Sequence, residues 1–264
     1  MFPIIYEIGP IKIGSYGVML AVAFLTAAYI MRKEFERKGF QPDWANTVVV
    51  VAAITGIVGS RVYFIFEHLD DFLHDPLGMI FSGSGLTYYG GFILAFIAVV
   101  ILIRRLPAPT LELGDIIAPL LLLGYGIGRI GCFLAGDGDY GPPSDLPWAM
   151  AFPDGLVPTN VPVHPTPLYE TFISISFFLI LWNLRKRNLP AGSMISGMLI
   201  FYGIERFVTE FWRLSSPELW GLSMAQLISL VSIVGGLIFG IYLFQTDKKV
   251  KTITPMKSSK STKK

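Results

Sequence analysis

Three arginines, Arg61, Arg129 and Arg206, stand inside otherwise apolar stretches of the chain. A guanidinium in hydrocarbon persists only if it pairs, snorkels to the interface or faces a wet cavity. Its planar fork of N–H donors suits carboxylate and phosphate, so three such groups suggest a common anionic partner. Arg206 belongs to a polar stripe: Tyr202, Arg206, Glu210 and Arg213 recur at i, i+4, i+8 and i+11, one face of an apolar helix. That stripe reads either as an Arg206–Glu210 pair that only offsets burial, or as a support for a phosphate-binding arginine. Arg129 sits in a glycine-rich run, Gly124 to Gly141, where Gly124 and Gly128 would let a neighbouring helix approach and leave room for a head group. His164 and Glu170 flank a helix start marked by Pro165 and Pro167, so capping and chemical roles both stay open for them. Gly59-Ser-Arg61 and Thr87-Tyr-Tyr-Gly-Gly91 bring small residues and hydroxyls to two further helix ends. Asp115 reads as a helix N-cap, and the lone Cys132 as a small apolar filler rather than a nucleophile.

The elements that must carry these groups are membrane helices. With 53% hydrophobic and 15% charged residues, 264 residues have too little polar surface for a water-soluble body. Apolar runs predict an all-α integral membrane fold of about seven transmembrane helices, near residues 13–32, 45–66, 86–104, 115–135, 167–184, 193–213 and 222–245. Residues 1–245 then form a single polytopic domain, with a loop at about 136–166 and a basic tail over 246–264. Arg32, Lys33, Arg37, Lys38, Arg104, Arg105, Arg185, Lys186, Arg187 and the tail lysines share one side, which the positive-inside rule makes cytoplasmic. The N-terminus is therefore expected in the periplasm and the C-terminus in the cytoplasm. On this topology Arg61, Arg129 and Arg206 each lie about 14 residues into a helix rising from the cytoplasm, roughly 21 Å along a core of about 30 Å. Tyr16 and Tyr89 fall near the same level, and Trp148 and Phe152 read as interfacial anchors in the loop. The opening residues show no cleavable signal, and one cysteine gives neither an internal disulfide nor a multi-cysteine metal site. No metal, organic cofactor or nucleic acid is indicated.

Ile8-Gly-Pro10, Ser15-Tyr-Gly17, Gly59-Ser-Arg61, Tyr89-Gly-Gly91, Asp115 with Pro119, Gly128-Arg-Ile-Gly131, His164-Pro165, Leu168-Tyr-Glu170 and the Tyr202–Arg213 stripe occur in that order. In this the chain resembles the bacterial prolipoprotein diacylglyceryl transferases. The resemblance implies a multi-pass protein of the inner membrane that moves the diacylglyceryl group of phosphatidylglycerol onto the lipobox cysteine of a prolipoprotein signal peptide, releasing glycerol phosphate. It implies that Arg129 and Arg206 hold the lipid phosphate, with Arg61, Tyr16, Tyr202, Glu210, Asp137, His164 and Glu170 around the substrate. Where the family carries histidine before Gly-Gly, this chain has Tyr89, which becomes the candidate acid-base group. The family's Asn-Phe-x-Asn-x-Glu after Gly-Arg-x-Gly is here Cys132-Phe-Leu-Ala135-Gly-Asp137. Those departures leave open a second reading, a lipid-binding or lipid-transporting protein with the same arginine pocket.

Overall fold

The computed structural model describes residues 1–9, 11–81 and 87–253. Pro10 and the tail beyond Ile253 lie outside the described residues. The chain opens with a hairpin of β1 (Ile4–Ile8) and β2 (Ile11–Gly14). Then come α1 (Ser15–Lys38), α2 (Trp44–Glu67), the short α3 (Leu69–His74) and α4 (Pro76–Phe81), α5 (Tyr88–Arg105) and α6 (Thr110–Ala135). A second hairpin, β3 (Met150–Phe152) with β4 (Thr159–Val163), precedes α7 (Thr166–Leu184), α8 (Ser193–Thr209) and α9 (Met224–Ile253). Among the described residues five helices, α1, α2, α6, α7 and α9, are long and apolar enough to cross a membrane.

Each of the seven expected long helices is present among the described residues, and the mostly helical structure is consistent with an all-α membrane protein, to which two short antiparallel hairpins are added. Both are built from short extended pieces with Gly or Pro between them, too short for a hydrophobic period to register. Boundaries moved for local reasons. α1 runs on to Lys38 because its polar last turns are stabilised by ion pairs, including Arg32–Glu36, and because Gly39 supplies the left-handed cap at φ 78°. α8 tightens into a 3-10 turn at Glu210–Trp212 and ends, which takes Arg213 out of the helix. α9 extends to Ile253, so the first residues assigned to a tail are helical.

The bundle centres on α6, which packs against α1, α7 and α8, while α8 pairs with α9 and α5 with α2. The α2–α5 seam is a backbone contact. A β-carbon on Gly59 would lie 2.4 Å from the Gly90 carbonyl, and one on Gly90 equally close to the Gly59 carbonyl. Only glycine fits either side, and Ser60 and Thr87 exchange hydrogen bonds beside it. On α6 the expected contact glycines were the wrong ones: Gly124 and Gly128 face open space, whereas Gly126 meets α7 and Gly131 lies against Tyr16 and Met19 of α1. Gly126 and Gly131 are five apart, and the pitch of the helix turns them towards different neighbours.

Asp115 is the other correction. It lies in the second turn of α6 and caps a different helix: its carboxylate accepts from the backbone N–H of Gly192 at 2.7 Å, Met194 at 2.9 Å and Ile195 at 3.1 Å. Three orphan donors at the α8 N-terminus are satisfied from across the bundle. Asp115→Ala should therefore destabilise the protein by about 1–3 kcal/mol. The check is thermal unfolding in lipid nanodiscs, where an unshifted midpoint would contradict this account of the α8 start.

Candidate active site

Glu170 enters the bundle at the start of the second turn of α7, and its residue surface is 0% exposed. A lone carboxylate there would be strongly disfavoured, and cations from three elements gather on it. Arg129 of α6 reaches Oε2 through Nε, Arg206 of α8 donates to Oε1 at 3.3 Å, and Arg213 beyond the 3-10 turn donates to the same oxygen at 3.1 Å. Tyr125, one turn before Arg129, donates its hydroxyl to Oε2 at 3.3 Å. Tyr202, one turn before Arg206, packs edge-on against the Tyr125 ring at 5.7 Å.

Two further carboxylates divide the guanidinium charge. Asp139, in the loop after α6, binds Arg129 Nη1 at 2.5 Å and also Arg213. Glu210 approaches Arg206 at 3.2 Å and Arg213 at 3.8 Å, and is itself held by the Ser223 hydroxyl at 2.9 Å. Three arginines thus interlock with three carboxylates, so each guanidinium is fixed from more than one side. Burial opposes charge on Asp139, but Arg129 and Arg213 outweigh it and hold its carboxyl below the usual range. The sign of the linkage follows. Its contribution to stability is complete above the ordinary aspartate pKa of about 4 and is lost as pH falls through the lower folded value. Asp139→Asn should flatten the acid limb of a stability-versus-pH curve; an identical acid limb in the two proteins would show that this pair carries none of it.

Arg129 is 8% exposed, and its Nη2 is buried without a hydrogen-bond partner. That leaves one strong donor unused inside the cluster. Cys132, four-fifths of a turn further on and buried, receives a 3.3 Å contact from Arg129 Nη1. Cys132, Asp137 and Asp139 converge closely, and it is the Arg129 guanidinium that faces two of the three.

The loop that carries Asp139 is a folded cap. Leu156 and Val157 donate backbone hydrogen bonds to Ala135 and Gly136, and the Thr166 hydroxyl donates to the Asp139 carbonyl at 2.5 Å. A β-carbon on Gly141 would lie 2.1 Å from the Trp212 carbonyl, so glycine is needed where the cap meets the end of the α8 segment. Phe152 is not an interfacial anchor: it is 0% exposed and stacks on Tyr140 at 4.8 Å, because the β3 pleat turns it inward. Trp148 is exposed as expected and donates to the Tyr169 hydroxyl, which also meets His164 Nδ1 at 3.1 Å.

Of the residues singled out from sequence, the structure brings together Arg129, Arg206, Glu170, Glu210 and Tyr202. Tyr16 lies against Gly131 on the same helix as Arg129, and Asp137 accepts from the Asp139 amide at 3.2 Å. His164 sits in the cap with Tyr169. Arg61 and Tyr89 belong to the neighbouring α2–α5 pair. Arg61 donates to the Met79 carbonyl at 3.2 Å, and Tyr89 is 56% exposed on the first turn of α5. Tyr125, Asp139 and Arg213 join the cluster although none of them was assigned to the site from sequence. Arg213 carried a signal as the last member of the stripe, and Tyr125 as the residue one turn from Arg129. Asp139 sits in an aperiodic loop and offered none. Glu205, fully buried with neither oxygen hydrogen-bonded, lies beside an apolar groove of about 260 Å³ between α7 and α8.

The family model for prolipoprotein diacylglyceryl transferase matches residues 3–242, nearly the whole chain. The chain belongs to this family. Among transferase relatives, the phosphatidylglycerol–prolipoprotein diacylglyceryl transferase of Clostridium tetani is 32% identical, over 94% of this chain and 98% of its own length. The proteins of the same name from Pseudomonas entomophila and Methylococcus capsulatus are 34% and 35% identical, over 96% and 89% of this chain and 97% and 93% of their own lengths. Every element that builds the arginine–carboxylate cluster, from α6 to Arg213, falls within the span matched by the prolipoprotein diacylglyceryl transferase family.

Proposed function

We propose that this chain transfers the diacylglyceryl group of phosphatidylglycerol to the lipobox cysteine thiol of a prolipoprotein signal peptide. The observation that carries the reading is the buried Arg129 Nη2, a donor without a hydrogen-bond acceptor, within a set of three arginines that meet at Glu170. A phosphodiester oxygen would complete Arg129, and Arg206 would share the charge. The thiolate attacks the glyceryl carbon next to the phosphate ester, the C–O bond breaks, and glycerol phosphate leaves under the arginine field. Glu170, Glu210 and Asp137 order the site, while Tyr16, Tyr202, Arg61 and His164 surround the lipid. Catalysis is differential here, because the charge on the departing phosphate grows as the bond breaks and the guanidiniums are already in place.

In this reading the chain crosses the bacterial cytoplasmic membrane seven times, with α5 and α8 completing the set. The N-terminus faces the periplasm, and the arginine cluster lies under the outer surface. The concentration of Arg and Lys at the opposite end of the bundle supports that orientation. Residues 136–166 then form a periplasmic cap and 254–264 a cytoplasmic extension.

Complementation tests the activity: the host transferase is depleted, this protein is supplied, and lipid-modified precursor is measured. Bound phosphatidylglycerol without thioether product would instead support a lipid-binding protein. Tyr89 stands where the family has histidine, and Tyr89→Phe should slow transfer severalfold with an altered pH profile. An unaltered rate and profile would clear Tyr89 of proton transfer.

A further inference from the structure

At the end of α6 away from the arginine cluster lies a hollow of about 370 Å³, within the range of small-molecule sites. It is closed by the C-terminal turns of α1, the first turns of α6 and α8, and the turn that joins α7 to α8. Asp115 and Arg129 are fourteen residues apart on α6, which puts the hollow about 21 Å from the cluster described above.

The walls of the hollow are fixed by internal pairs. Glu34, 3% exposed, binds Arg37 at 2.5 and 2.9 Å and Arg185 at 3.3 Å, while Lys38 meets Glu112 at 3.6 Å. Asp115 is occupied by the α8 backbone, as shown above, and pins the turn that carries the rim. That turn is further ordered by bonds from the Arg187 amide to Leu184 and from the Leu189 amide to Arg187, each 2.9 Å.

The charge does not close. Two helix C-termini, of α1 and α7, and two N-termini, of α6 and α8, meet here, so their partial charges cancel. Among the lining side chains five are basic and three acidic. The surplus corresponds to Lys186 and Arg187, which border the hollow and have no ion pair among the described residues. Helix-end preference accounts for Arg37, Lys38 and Arg185, and the positive-inside bias for the side on which Lys186 and Arg187 stand, but neither neutralises the two cations that border the cavity.

We propose that this hollow is a second anion site, which takes the phosphate group of an anionic lipid head or of a soluble phosphate ester. Lys186 and Arg187 supply the unmatched charge, and the Glu34-oriented guanidiniums form the wall behind it. The site is independent of the transferase reading, since none of these residues belongs to the arginine–carboxylate cluster.

The test uses the full chain in phosphatidylcholine nanodiscs and compares it with Lys186→Gln/Arg187→Gln. One arm adds phosphatidylglycerol and counts retained lipids by native mass spectrometry; the other titrates inorganic phosphate by calorimetry. Removing two basic groups near an anionic ligand should weaken retention about 30-fold. Loss in the lipid arm alone identifies a head-group site, and loss in the phosphate arm a soluble ligand. Equal retention by wild type and double variant in both arms overturns the proposal. The charge-conserving Lys186→Arg/Arg187→Lys protein should bind as wild type; if it loses binding as fully as the glutamine variant, the effect is structural and the proposal fails. Transfer to precursor should be unchanged in both variants, which separates this site from the one at Arg129.

Discussion

Glu170→Gln is expected to abolish transfer and to lower stability by about 3–5 kcal/mol, the cost of removing one partner from a buried ion pair. The substitution keeps the shape of the side chain and its acceptor oxygen but removes the charge that Arg129, Arg206 and Arg213 share. Asp139 and Glu210 would remain for three guanidiniums, and the cluster would carry a net positive charge in a site sealed by α6, α7 and α8. Thermal unfolding in nanodiscs and a transfer assay with phosphatidylglycerol read the two effects separately. Near-native values in both would mean that Glu170 is not the anchor of the site. A stable but inactive Glu170→Gln protein would show that the carboxylate positions the arginines rather than maintaining the fold.

Arg129→Ala should reduce turnover by about 10²–10³-fold or more, in the range found when one preorganised donor to a developing anion is removed. It should cost less stability than Glu170→Gln, because Glu170 keeps two of its three cations. Arg129→Lys should restore little. A single ammonium cannot serve Glu170, Asp139 and an incoming phosphate together, as the guanidinium fork does. The distinguishing measurement is turnover against lipid retention. Loss of both fits a phosphate-binding arginine, whereas native turnover in Arg129→Ala would remove the residue from the chemistry.

The ion pair that the polar stripe offered is present. Arg206 and Glu210 are one helical turn apart, and they meet at 3.2 Å as periodicity implies. That pair is a minor part of the outcome, since Arg206 also reaches Glu170, thirty-six residues earlier in the chain. The Gly124 and Gly128 spacing looked like a packing motif and proved to border open space, because a four-residue repeat says which glycines share a face but not which face meets a neighbour. Asp115 looked like a cap for its own helix and caps α8, a connection that depends on how α6 and α8 cross.

Membrane character, the seven long helices, the polar stripe and the presence of arginines in apolar segments were legible from residue types and period alone, since each depends on chemistry within a few turns of one helix. Family membership was legible for the same reason, from short ordered motifs. Beyond Arg206 and Glu210, which carboxylate would meet which guanidinium was not. Glu170, Asp139 and Arg213 converge from α7, from an aperiodic loop and from beyond a 3-10 turn, and only the packing of α6 against α7 and α8 brings them within hydrogen-bonding distance. Burial then decides their pairing, because a charge taken out of water must find its partner among the groups the fold happens to enclose with it.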